Sequence, residues 1–89
     1  MTTICVFTMR GCSYCDEFKE ILKKENLSYQ EYDVDDNQYL WGQVVNQIGE
    51  ENLPTVFIRN EKDSLGVLLM PDINVESQEE MLEKIKENI

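Results

Sequence analysis

Two cysteines separated by two residues are the part of this sequence best suited to chemistry. They lie in the segment Gly11-Cys12-Ser13-Tyr14-Cys15, between an apolar run and a helical pattern. A pair at this spacing near a β-α-β pattern is typical of disulfide exchange. Cys12 should lie at the helix start, where backbone N–H groups and the helix dipole stabilise a thiolate, the form that attacks disulfides. Cys15 falls in an apolar stripe, so we expect it to be more buried and to resolve the mixed disulfide on Cys12.

Two other interpretations of the cysteines stay open at this point. A structural zinc site needs four ligands, and the chain has three cysteines and no histidine. Inert core cysteines are conceivable for Cys15, but less so for Cys12, which stands beside Gly11 and Arg10. Cys5 lies within the first apolar run and is expected to be a small buried hydrophobe.

The elements that must position this pair alternate along the chain in the order β-α-β-α-β-β-α. The predicted strands are residues 3–8, 28–34, 55–59 and 65–70, with a turn over residues 60–64. Apolar spacing predicts a helix over residues 13–25, a second one from a cap at Asp35, Asp36 or Asn37 to Ile48, and a third one from Gln78 with Ser77 as its cap. The first β-α-β unit should place two strands parallel, and helices on both faces of the sheet would explain the almost wholly apolar first strand.

Length and charge restrict the class of protein. Eighty-nine residues predict a single domain over residues 1–89. The formal charge is −10, from 18 acidic and 8 basic side chains, which argues against nucleic acid and anionic membranes as partners. Three cysteines are too few for a secreted disulfide framework, and the N-terminal residues do not resemble a signal peptide. We therefore expect a cytoplasmic monomer.

With these residues placed, the chain resembles the glutaredoxin family over nearly its whole length. The resemblance rests on Met9-Arg10-Gly11, on Cys12-Ser13-Tyr14-Cys15, and on the sequence LPTVFI at residues 53–58. It implies an α/β thioredoxin fold, with a four-stranded mixed sheet flanked by three helices. It also implies a glutathione-dependent oxidoreductase that reduces protein disulfides and glutathione mixed disulfides through Cys12 and Cys15.

The resemblance further implies roles for residues outside the cysteine pair. Pro54 corresponds to the cis-proline beside the active-site cysteines, and the backbone of Leu53 would pair with bound glutathione. Arg10, Tyr14 and Asp72 are the other expected glutathione contacts. Glutathione would act as a co-substrate, with no permanently bound cofactor and no metal. The expected clients are disulfide-containing proteins, with ribonucleotide reductase as one candidate.

Several departures from the family pattern leave two alternatives open. Met9 stands where many members have a cation, residues 49–52 read GEEN, and the Gly-Gly signature expected near residues 69–74 is replaced by LMPDIN. One alternative is a redoxin reduced by thioredoxin reductase and serving ribonucleotide reductase, since Met70-Pro71-Asp72 is similar to the Arg-Pro-Asp stretch of such proteins. The other is a module binding a 2Fe–2S cluster through Cys12 of two chains and two glutathione thiols.

Overall fold

The computed structural model describes residues 2–60 and 63–89, and it confirms the predicted order of elements. The strands are β1 (Thr2–Thr8), β2 (Gln30–Asp33), β3 (Thr55–Asn60) and β4 (Asp63–Leu69), and the helices are α1 (Ser13–Lys24), α2 (Gln38–Ile48) and α3 (Gln78–Glu87). Residues 61 and 62, which belong to the predicted turn over 60–64, lie outside the described residues.

The four strands form one mixed sheet in the order β2-β1-β3-β4. β1 and β2 run parallel, with Cys5 opposite Gln30 and Thr8 opposite Asp33, so α1 is the crossover helix that the sequence predicts. β3 is antiparallel to both β1 and β4, which gives the expected hairpin. This arrangement, α/β with four strands and three helices, is the predicted fold class.

Two strands, β2 and β4, start two residues away from their predicted first residue, whereas β1 and β3 agree with the prediction to within one residue. β2 covers four residues rather than seven because the chain leaves α1 through a turn at Asn26, whose φ is 56°, and pairs with β1 only from Gln30 onward. At its other end, the Val34 N–H still donates to the Thr8 carbonyl at 2.9 Å. β4 starts at Asp63, two residues before the prediction, since Asp63 pairs with Asn60 across an irregular register.

The side chains of β1 alternate between two cores, one on each face of the sheet. Ile4 and Val6 belong to the larger core, and Phe7 belongs to the smaller one. The larger core takes its helical side chains from α1 and α3, namely Phe18, Leu22, Met81 and Ile85. Helices therefore cover both faces of the sheet, as the apolar composition of β1 predicts.

The α2 face is packed more loosely than its apolar stripe suggests. Val44 is buried, but Leu40 is 40% exposed and Tyr39, one residue earlier, is 83% exposed. A cavity of about 380 Å³ lies between this helix and the sheet, and Cys5 is among its lining residues. Cys5 is half-buried, so the expectation of a small buried hydrophobe was wrong with respect to its burial. Burial raises the pKa of its thiol.

A buried hydroxyl fixes the end of β1 immediately before the cysteine segment. Thr8 is 2% exposed and donates its hydroxyl to Glu31 Oε2 at 2.7 Å, and Lys19 of α1 donates to the same oxygen at 2.9 Å. The Thr8 hydroxyl makes the largest contribution to lowering the pKa of Glu31, and the Lys19 ammonium group makes the next largest. In turn, the Glu31 carboxylate raises the pKa of Lys19. One carboxylate thus joins β1, β2 and α1.

Glu31→Gln should weaken the stability of the protein at neutral pH more than at acid pH. The folded pKa of Glu31 lies below its ordinary value of 4.5, so its contribution is complete above that value and disappears as the pH falls through the folded pKa. Because the side chain is 42% exposed, we expect a loss of at most about 1 kcal/mol at pH 7. Urea unfolding between pH 7 and pH 2 measures this, with the exposed Glu83→Gln as control. An equal loss at both ends of the pH range would contradict the assignment.

Gly66→Ala should destabilise the protein by about 1–3 kcal/mol. Gly66 in β4 has a φ of +66°, and a Cβ built there would lie 2.6 Å from two ring carbons of Phe57. The matched control is Gly42→Ala in α2, where a Cβ meets nothing within 4 Å and alanine should add roughly 0.5–1 kcal/mol. Thermal unfolding of the two variants tests the pair, and a Gly66 variant as stable as the parent would contradict it.

Candidate active site

The cysteine segment follows β1 through a tight turn. Gly11 has a φ of 79°, a backbone conformation that residues with a side chain rarely adopt. The Cys12 N–H donates to the Met9 carbonyl at 3.2 Å. α1 then starts at Ser13, with Cys12 as the N-cap residue. The turn therefore delivers the first sulfur to the positive end of a twelve-residue helix.

The Cys12 sulfur occupies the position that a capping oxygen usually takes. Its Sγ accepts a hydrogen bond from the Cys15 N–H at 3.1 Å, and the Cys12 carbonyl accepts from Asp16 N–H at 3.1 Å. A hydrogen-bond donor and a helix dipole both favour negative charge on this sulfur. When the disulfide is reduced, this environment would stabilise a thiolate on Cys12.

The two cysteines are joined in a disulfide and differ in their accessibility. Their Cα atoms lie 5.2 Å apart, within the range that a disulfide spans. Cys15 is 0% exposed, whereas Cys12 is half-buried and lines a surface groove. An incoming disulfide can therefore reach Cys12 but not Cys15, which is the asymmetry expected from the sequence.

The proline loop lies across the groove from the start of α1. The Leu53–Pro54 peptide bond is cis, and both residues line the groove together with Cys12. Thr55 donates its hydroxyl to the Asn52 carbonyl at 2.6 Å, and the Asn52 amide donates to the Pro71 carbonyl at 2.8 Å. These bonds connect the proline loop to the segment after β4.

The groove has a volume of about 970 Å³ and is built from three separate segments. They are the Cys12 turn with the start of α1, the proline loop, and the segment from Pro71 to the first turn of α3. Among the predicted site residues, the groove brings together Cys12, Tyr14, Leu53, Pro54 and Asp72. Cys15 lies beneath it, in the core.

Arg10 does not join this set, although it was an expected glutathione contact. Its neighbours Met9 and Gly11 both line the groove, but the exposed Arg10 side chain does not. Asp72 does line the groove, in a left-handed turn with a φ of 65° that follows β4. The groove lining therefore includes Asp72 but not Arg10, and the glutathione contacts of both residues stay predictions.

The groove lining is acidic, a feature that the local sequence patterns do not predict. No lysine or arginine is among the lining residues that the structure describes. Five carboxylates line the groove: Glu17, Glu51, Asp72, Glu76 and Glu79. The loop sequence GEEN indicates only that a cation is missing. The contribution from α3 depends on a contact between distant segments, in which the Gln78 amide donates to the Tyr14 carbonyl at 3.0 Å.

Within residues 2–60 and 63–89, no group of three or more histidine, cysteine or acidic side chains is placed to hold a metal ion. No helix in the described part of the chain is long and apolar enough to cross a membrane.

Comparison with known proteins identifies the family. The glutaredoxin family model matches residues 4–62. Glutaredoxin 3 of Escherichia coli K12 is 28% identical over 58 residues, covering 65% of this chain and 70% of the relative. N-acetyl-S-hydroxy-L-cysteine reductase of Bacillus subtilis is 28% identical over 67 residues, covering 75% and 72%.

Solved thioredoxins share the fold at low sequence identity. The thioredoxin of Malassezia sympodialis superposes with a TM-score of 0.62 at 13% identity, covering 97% of this chain and 73% of that one. Thioredoxin O2 of Arabidopsis thaliana in the oxidized state gives 0.61 at 13% identity, covering 100% and 75%. With its thioredoxin fold and its Cys12–Cys15 redox pair, the chain belongs to the glutaredoxin family and is a thiol–disulfide oxidoreductase.

Proposed function

We propose that this protein reduces disulfides in extended, peptide-like substrates, with Cys12 as the nucleophile and Cys15 as the resolving thiol. The observation that carries the proposal is the contrast between the two sulfurs. Cys12 caps α1 and faces a groove, while Cys15, three residues on, is fully buried. A substrate disulfide can therefore form a bond with only one of them.

The reaction proceeds in two exchange steps. Cys12 thiolate attacks one sulfur of the substrate disulfide, and the other substrate sulfur leaves as a thiolate and takes up a proton. Cys15 then loses its proton and attacks Cys12 in the mixed disulfide. The second substrate thiol is released and the Cys12–Cys15 disulfide remains. Two electrons pass from the cysteine pair to the substrate, and the two substrate sulfurs take up two protons, equal in number to those that Cys12 and Cys15 lost on becoming thiolates, so no metal or bound cofactor is needed.

The proline loop suits a substrate that binds through its backbone. Pro54 has no N–H, and Leu53 before it offers a main-chain edge in the same groove as Cys12. Glutathione is a peptide of this kind. We propose it as the reductant of the oxidised pair, and its mixed disulfides with proteins as substrates, in keeping with the family.

One observation favours a second candidate for the electron donor. Glutathione carries net negative charge near neutral pH, and the groove lining as described contains carboxylates without a compensating cation. A flavoprotein reductase could instead recognise surface outside the groove. Such a protein donor is the second proposal.

Substitution of the two cysteines should separate the two steps. Cys12→Ser keeps a helix-capping oxygen but removes the nucleophile, so all turnover should fall to background. Cys15→Ala should keep reduction of glutathione mixed disulfides, which needs one thiol, and should lose most reduction of protein disulfides. Alanine is preferred to serine because a hydroxyl at this fully buried position would need a hydrogen-bond partner.

The control for these variants is Cys5→Ala, which removes the thiol that lies outside the groove. It should leave both activities at the level of the parent. Activity is followed as the release of substrate thiols, and full turnover by the Cys12 variant would refute the proposed function.

The two donors can be compared in one coupled assay of the same protein preparation. With a disulfide peptide as substrate, NADPH oxidation is measured either with glutathione and glutathione reductase or with thioredoxin reductase. We expect turnover with glutathione, but with a high KM for glutathione, because the acidic groove opposes the binding of an anionic reductant. Turnover with thioredoxin reductase alone would reject glutathione in favour of the protein donor.

A further inference from the structure

We infer that the carboxylates around Cys12 make this protein selective for disulfides flanked by lysine or arginine in the client polypeptide. The inference rests on the proposed function, because it concerns which substrates reach the nucleophile. The groove is a binding site on account of the Cys12 sulfur and the Pro54 loop within it. The carboxylates add a preference for substrates that carry positive charge.

The position of these carboxylates makes their effects cumulative. Glu17 comes from α1, Glu51 from the proline loop, and Asp72, Glu76 and Glu79 from the segment after β4 and the start of α3. Groups from three segments thus share one groove with the reactive sulfur. Like charges on several walls of a cleft add to a negative potential within it, which concentrates cationic substrates.

None of the basic residues that the structure describes lines the groove, so none offsets this potential from within it. Four lysines form ion pairs with acids that do not line the groove: Lys19, Lys23, Lys84 and Lys86. Arg10 stands beside the groove in sequence, but its side chain is not part of the lining. A cationic segment of a client would therefore supply the missing positive charge.

Structural roles account for some of these acids but not for all of them. Glu79 lies in the first turn of α3, where a negative charge favours the helix. Glu51 lies two residues beyond Gly49, the C-cap of α2, where a negative charge does not benefit from that helix dipole. Glu76 precedes the Ser77 cap and lies outside α3. Both side chains are exposed and line the groove, and neither forms an ion pair among the described residues.

The test uses three cyclic disulfide peptides that differ only in the residues flanking the cysteines, which are lysine, glutamine or glutamate. Reduced protein is mixed with each peptide in a single turnover, then quenched with acid, and the peptide dithiol is quantified. No external reductant takes part, so the result is independent of the electron donor. We expect rates in the order lysine, glutamine, glutamate, with roughly two- to fivefold between neighbours, and a smaller spread at high salt.

The double variant Glu51→Gln with Glu76→Gln should reduce the ratio of lysine to glutamate rates by about threefold or more. It should also increase the rate with glutathione disulfide, whose negative charge is then less repelled. The matched control is Asp36→Asn with Glu83→Gln, which makes the same change in net charge at exposed positions outside the groove. This control should retain the ratio of the parent.

The outcomes separate this inference from the proposed function. Reduction of all three peptides at one rate would overturn the charge preference and leave the disulfide reductase standing. An equal fall of the ratio in groove and control variants would also overturn it, because net charge rather than the groove would then be responsible. Failure to reduce even the glutamine peptide would overturn the proposed function and this inference together.

Discussion

The site depends on one geometric constraint, which is that a single helix start must hold two sulfurs in different surroundings. Cys12 lies just outside α1 and completes its hydrogen bonding by accepting the Cys15 N–H. Cys15 lies within the first turn and is buried. Because the two are linked by one helical turn, neither can move far without breaking the cap or exposing the core. The accessible sulfur of Cys12 and the buried sulfur of Cys15 are consequences of the same local geometry.

The remaining elements keep that helix start in place. β1 ends at the buried Thr8, whose hydroxyl bonds to the carboxylate that Lys19 of α1 also contacts. Phe18 and Leu22 anchor α1 in the larger core. From the other side, Gln78 of α3 donates to a carbonyl in the first turn of α1. The turn between β1 and α1 is short, so fixing both of its ends fixes the position of Cys12.

The sequence predicted the features that depend on neighbouring residues. The Cys12 helix start, the end of α2 at Ile48 and the start of α3 after Ser77 each follow from residue types within one helical turn, and the structure has them there. The approach of Gln78 to Tyr14 joins residues 64 positions apart, and no local pattern indicates it. The part of the acidic lining that α3 contributes depends on that approach, so it could not be predicted.

The exchange chemistry of the cysteine pair depends on backbone groups, whereas the choice of substrate would depend on exposed side chains. The backbone stabilises charge on Cys12, through an N–H donor and a helix dipole that any sequence forming α1 would provide. Selection among substrates would fall to side chains such as Glu51 and Glu76, which are exposed and carry no packing role. Exposed side chains of this kind can change at little cost in stability. A groove of this design can therefore acquire a new client preference while its exchange chemistry stays the same.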